Sequence, residues 1–232
     1  MPVELDHSLS ALNSYLRLLR SEPRLLAFGF VLTFFSSFGQ TFFISLFGGE
    51  IRSNFGLSNT DYGLTYSVAT LCSGLTIIRI GRKIDTVDLR RFTLLLCAGL
   101  FAACALVAGA RGVAVLSVGF FLLRLCGQGL LSHAALTSMS RYFGRQRGKA
   151  LSIAGLGFPV GEAILPILAV LAIGSIGWRE AWSVAAGAVV VCLVPAVIYC
   201  LRGHEERHRV HLEGMLELRT GAAASDGGTK PW

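Results

Sequence analysis

The chain has 232 residues, of which 53% are hydrophobic and only 15% charged, with a net charge of +7. Soluble domains carry about 25% charged residues, so this composition, with a mean hydropathy of +0.61, leaves too little polar surface to cover a water-soluble globule. Nucleic-acid binding is excluded on the same page, because the cations sit in short clusters between apolar runs, which is a membrane-topology pattern and not a binding patch.

The first 24 residues are polar and lack the short apolar core and cleavage site of a signal peptide, so the first span is expected to act as its own signal. Crossing the hydrocarbon core takes about 20 apolar residues. Six segments meet that requirement, at 25–48, 62–80, 92–110, 113–138, 149–173 and 180–201. Asp61 or Asn59 is the expected N-cap of the second. None shows the two-residue alternation of a membrane β-strand, so the fold class is an all-α bundle of six transmembrane helices. The six cysteines lie in or at the ends of apolar runs and read as small hydrophobes without a disulfide framework. The chain therefore divides into a tail (1–24), a membrane bundle (25–201) and a polar linker (202–232).

Seventeen of the 21 Lys and Arg fall in the tail, the second-to-third connection, the fourth-to-fifth connection and the linker. Only Arg52, Arg111 and Arg179 fall in the opposite connections, and Arg124 lies within a span. The positive-inside rule then predicts a multi-pass protein of the cytoplasmic (plasma) membrane with both termini in the cytoplasm, and places Trp178 and Trp182 at the outer interface.

The second-to-third connection reads Gly81-Arg82-Lys83-Ile84-Asp85-Thr86-Val87-Asp88-Leu89-Arg90-Arg91. It resembles the major facilitator superfamily signature G-x-x-x-D-[RK]-x-G-[RK]-[RK] at Gly81, Asp85, Arg90 and Arg91, with Thr86 in place of a cation and Asp88 in place of the second glycine. Arg141-Tyr142-Phe143 and Arg147-Gly148-Lys149 resemble the family's fourth-to-fifth connection, and Arg124 with Gly127 and Gly129 its basic span-four motif. The resemblance covers about residues 25–201 and implies an amino-terminal half bundle of two inverted three-helix repeats. It further implies that a full transporter has twelve spans and binds solute between its halves. The partners implied are the bilayer, a small-molecule substrate, and a second six-span half or another copy of the chain. No cofactor, metal or catalytic residue is implied. Gly81, Asp85, Arg90 and Arg91 would then act in gating. Residue by residue, Asp85 is also simply an acid among cations at a helix end, able to pair with Arg.

Few polar side chains lie deep in the spans. At about 1.5 Å per residue, Arg124 sits roughly 25 Å from Arg141, and Glu162 and Gln40 lie roughly 21–23 Å from Gly148 and Leu25. Gln128 is one turn from Arg124 on the same helix face. Gln40, Arg124, Gln128 and Glu162 are thus expected to share one slab near mid-membrane, either as the wall of a solute cavity or as a structural Arg124–Glu162 pair. A small organic anion is the solute Arg124 would attract. His133 reads as a hydrogen-bonded packing residue. In the fifth span, Gly157 and Gly161 form a small-xxx-small pair, and Pro159 and Pro166 invite bending; the readings are a mobile gating helix or tight static packing. The family's antiporter motif is not reproduced on this helix.

His204-Glu205-Glu206-Arg207-His208 fits H-E-x-x-H, the spacing that puts two His on a zinc ion beside a Glu base. Too little chain follows it for a cleft and third ligand, and Arg202, Arg207 and Arg209 crowd it with positive charge, so a solvated linker helix is expected. A membrane-attached metalloprotease and a six-span scaffold protein are the alternatives. The conclusion from sequence is one half of a secondary transporter, inactive alone and not an enzyme, whether as a fragment or as a half that self-associates.

Overall fold

The computed structural model describes residues 13–80 and 88–202, and these are helical throughout their ordered elements, with no strand among them. Among the described residues, six helices are long and apolar enough to cross a membrane: α1 (Pro23–Leu46), α2 (Asn59–Ile80), α3 (Leu89–Ala108), α4 (Val113–Tyr142), α5 (Gly144–Ile176) and α6 (Trp178–Cys200). The protein is a multi-pass membrane protein. Helices are the expected solution in lipid, because each satisfies its backbone N–H and C=O groups within itself.

The helix ends follow capping chemistry. At the start of α2, Ser58 Oγ accepts the Asp61 N–H at 3.1 Å while the Asp61 carboxylate accepts the Ser58 N–H at 3.2 Å. This is a capping box, so the cap is Ser58 with Asp61 as its reciprocal partner, and not Asp61 or Asn59 as expected. Asp88 caps α3 by accepting the Arg91 N–H at 2.9 Å. A glycine-free Asp88 at this point of the signature loop thus has a local role.

Helix α1 packs on α4, α5 and α6; α4 packs on α1, α2 and α3; α3 and α6 pack on each other. Exchanging α1–α3 with α4–α6 maps α1–α5 onto α4–α2 and α1–α6 onto α4–α3, and leaves α1–α4 and α3–α6 unchanged. That is the contact pattern of two inverted three-helix units. The helices most often shared between contacts, α1 above all, are the most buried, and α2 is the least buried of the six.

Aromatic packing joins α6 to α1. Trp182 is fully buried and Trp178 nearly so. Trp182 lies tilted against Phe47 (4.8 Å) and edge-to-face with Phe43 (5.4 Å), bridging α6 to the second half of α1. Phe43 and Phe47 thus offer the Trp182 indole a complementary apolar surface, and Trp178 lies against Phe55. Beside them Arg179 donates to the Ala108 and Ala110 carbonyls at 2.9 and 2.6 Å and to Asn54 at 3.0 Å, closing the end of α3. Cys97, Cys104 and Cys126 are buried small hydrophobes; Cys72 and Cys192 face outward.

Candidate functional site

The site begins with two irregularities in otherwise regular spans. Helix α1 runs regularly over Pro23–Ser36, tightens into a 3-10 turn at Ser37–Gly39, breaks at Gln40 (φ −80°, ψ 153°) and resumes at Thr41–Leu46. Opposite it, α4 is π-helical over Leu123–Leu131. Single π turns inside α-helices recur at functional sites.

Glycine makes the two irregularities fit together. A Cβ placed on Gly39 would stand 2.5 Å from the Gln128 backbone nitrogen and 3.0 Å from Gly127 Cα; one on Gly127 would stand 2.9 Å from Gly39 Cα. The two backbones touch with no side chain between them, which only glycine permits.

This contact carries Arg124 across to the break. Its Nη1 donates to the Gly39 carbonyl at 3.2 Å, to Thr41 Oγ1 at 3.3 Å and to Gln128 Oε1. The guanidinium also lies 5.6 Å from the centre of the Tyr66 ring on α2, and the Tyr66 hydroxyl shares a 2.8 Å hydrogen bond with Thr41. Three helices thus converge on one cation, and every group holding it is neutral: a carbonyl, a hydroxyl, an amide and an aromatic face. Such dipoles and π-clouds stabilise a charge in a low-dielectric setting without cancelling it.

The predicted slab is assembled in part. Arg124 and Gln128 meet as expected. Gln40 is half-buried and contributes the break in the backbone, but its side chain has no hydrogen bond to the described residues. Glu162 makes no ion pair with Arg124; it is exposed on α5. Thr41 and Tyr66 were missed, since a Thr and a Tyr in an apolar run carry no signal of their own; the Arg124 position, one contact away, was the available clue. His133 is also corrected: it is exposed and hydrogen-bonds no described residue.

The α1–α5 contact is close at both Gly157 and Gly161. Gly157 lies against Thr33 and the Phe30 and Phe34 backbone, and Gly161 lies against Ser37. Thr33 Oγ1 spans the seam to the Ala154 carbonyl at 2.5 Å. Helix α5 is interrupted at Gly155–Leu156, Pro159 stands in the first turn after the interruption and Pro166 lies within the helix. At the other end of the bundle, Arg141 closes α4, and Arg147 and Gly148 begin the regular part of α5, where Lys149 donates to Ser14 at 2.8 Å. Arg90 and Arg91 stand in the first turn of α3. Gly81, Asp85, and the His204–His208 and His211 positions lie outside the described residues.

The description "Major Facilitator Superfamily" belongs to the family model that matches residues 29–225, most of the chain. The chain belongs to the major facilitator superfamily. Neither a curated protein nor a solved structure matches it. Membership makes it a membrane transporter in general, and the six spans and their paired contacts are those of an amino-terminal half of such a transporter.

Proposed function

We propose that the chain forms one half of a secondary transporter that moves a small solute by alternating access, with the Arg124 cluster on the wall facing a second six-helix half. That half is either a further part of one polypeptide or another copy of this chain. The observation that carries the reading is the setting of the two mid-span charges. Arg124 is half-exposed beside the exposed Thr41, and Glu162 is exposed on α5. A charge facing hydrocarbon at that depth costs about 2.5–3.5 kcal/mol or more, so the faces carrying them are expected against water or protein. In this class such a face is the solute path, near mid-membrane between the halves. Both termini then lie in the cytoplasm, and the signature loop around Asp85 with Arg90 and Arg91 serves gating.

Reconstitution of the 232-residue chain into liposomes, with its oligomeric state fixed by crosslinking, tests this. The expected result is no saturable uptake by a monomer. Uptake by a homodimer would show that two copies supply the two walls, and saturable uptake by a crosslink-proven monomer would overturn the half-transporter reading.

A further inference from the structure

All the hydrogen bonds that hold Arg124 leave from one nitrogen. Nη1 meets the Gly39 carbonyl, Thr41 and Gln128. A guanidinium has five N–H donors in a planar fork. Its other edge, formed by Nε and Nη2, has no partner among the described residues. That edge is also open: among the described residues the sealed side-chain polar atoms without a partner are Ser37 Oγ, Tyr62 Oη, Thr70 Oγ1 and Trp182 Nε1, and Arg124 is not among them.

We infer that the free Nε–Nη2 edge of Arg124 binds the carboxylate of a monoanionic organic acid through two parallel N–H···O bonds. This rests on the transport reading above. Three features set the class. The edge is planar and its two donors match the two oxygens of a carboxylate, whereas a point charge would not need it. The Nη1 bonds fix the fork in place before solute arrives, so little side-chain freedom remains to be lost on binding. Finally, the charge favours one negative unit. The groups around Arg124 are neutral, Glu162 does not reach it, and the other cations of the spans stand near span ends. A monoanion neutralises the site, whereas a phosphate dianion would leave an uncompensated negative charge at the same depth. The Tyr66 ring beside the guanidinium supplies an apolar surface for the carbon chain of the acid.

The test uses saturation-transfer NMR on the 232-residue chain in nanodiscs, with butyrate, the isosteric butyramide and inorganic phosphate as probes. Butyrate should bind at least tenfold more tightly than butyramide and resist displacement by equimolar phosphate. Arg124→Lys keeps the charge but loses the fork, and should weaken butyrate at least fivefold while leaving butyramide unchanged. Should Arg124→Lys not elute as a folded species, Gln128→Glu supplies the second test: a carboxylate beside Nη1 should weaken butyrate at least tenfold. Equal binding of butyrate and butyramide would overturn the carboxylate assignment and leave a solute site, and with it the transport reading, intact. Stronger binding of phosphate, full retention in both variants, or no binding of either organic probe to the folded chain would overturn the assignment as well, while the uptake assay judges the transport reading separately.

Discussion

Helix α1 makes two close crossings, and they differ in what they carry. At its crossing with α5, Gly157 and Gly161 admit the Thr33 and Ser37 hydroxyls; Thr33 donates to the Ala154 carbonyl and Ser37 Oγ is sealed among the described residues without a partner. At its crossing with α4, Gly39 meets Gly127 backbone to backbone, where α1 breaks and α4 is π-helical, and an arginine is delivered to the break. Both crossings combine glycine with an irregular backbone, for α5 is interrupted at Gly155–Leu156 and Ser37 lies in the 3-10 turn of α1. What separates them is the polar cargo: the α1–α4 crossing brings an arginine to carbonyl, hydroxyl and amide partners, and the α1–α5 crossing brings hydroxyls.

The sharpest way to break this comparison is to add one methyl group at each crossing. Gly39→Ala drives a Cβ into the α4 backbone, which cannot rotate away, so a loss of about 3 kcal/mol, the upper part of the overpacking range, is expected in the thermal or denaturant midpoint. Gly161→Ala meets chiefly the Ser37 hydroxyl, which can turn, so about 1 kcal/mol is expected. Equal losses at the two positions would mean that the crossings are mechanically alike. Thr33→Val removes the hydroxyl bridge to Ala154 in the α1–α5 seam and should cost about 0.6 kcal/mol, the usual size of an interhelical hydrogen bond in a membrane.

The smallest effect is a coupling. Because Arg124 is held by neutral groups and Glu162 points elsewhere, the losses from Arg124→Gln and Glu162→Gln should add to within about 0.5 kcal/mol in a double-mutant cycle. A coupling well above that would restore the ion pair that the sequence suggested.

That failed pair shows which coordinate a sequence of membrane helices leaves out. Counting about 1.5 Å per residue from the charged span ends put Arg124, Gln128, Gln40 and Glu162 in one slab, and of these the structure joins Arg124 to Gln128. Direction around each helix axis was not legible. The π-helical stretch carrying Arg124 departs from 100° per residue, and the break at Gln40 resets α1, and neither has a marker among the glycines and leucines around it. The six spans were legible to within a few residues, because hydropathy reports the solvent directly, although α4 extends to Tyr142 where 138 was expected and α5 begins at Gly144 where 149 was expected. The Ser58 cap was within one residue of the expected position. The interfacial preference of indoles carried no signal for the burial of Trp178 and Trp182 against neighbouring Phe side chains.

The central claim is that the face bearing Thr41 and Arg124 meets water and solute, whereas the side of α5 bearing Leu168, away from Glu162, meets lipid. In a cysteine-free background, labelling of Thr41→Cys by a membrane-impermeant maleimide reads this directly, with Leu168→Cys, an exposed α5 position, as the lipid-facing reference. Rapid labelling of Thr41→Cys, slowed by butyrate, beside an inert Leu168→Cys is the predicted result. Two equally inert cysteines would contradict a solute path at Arg124.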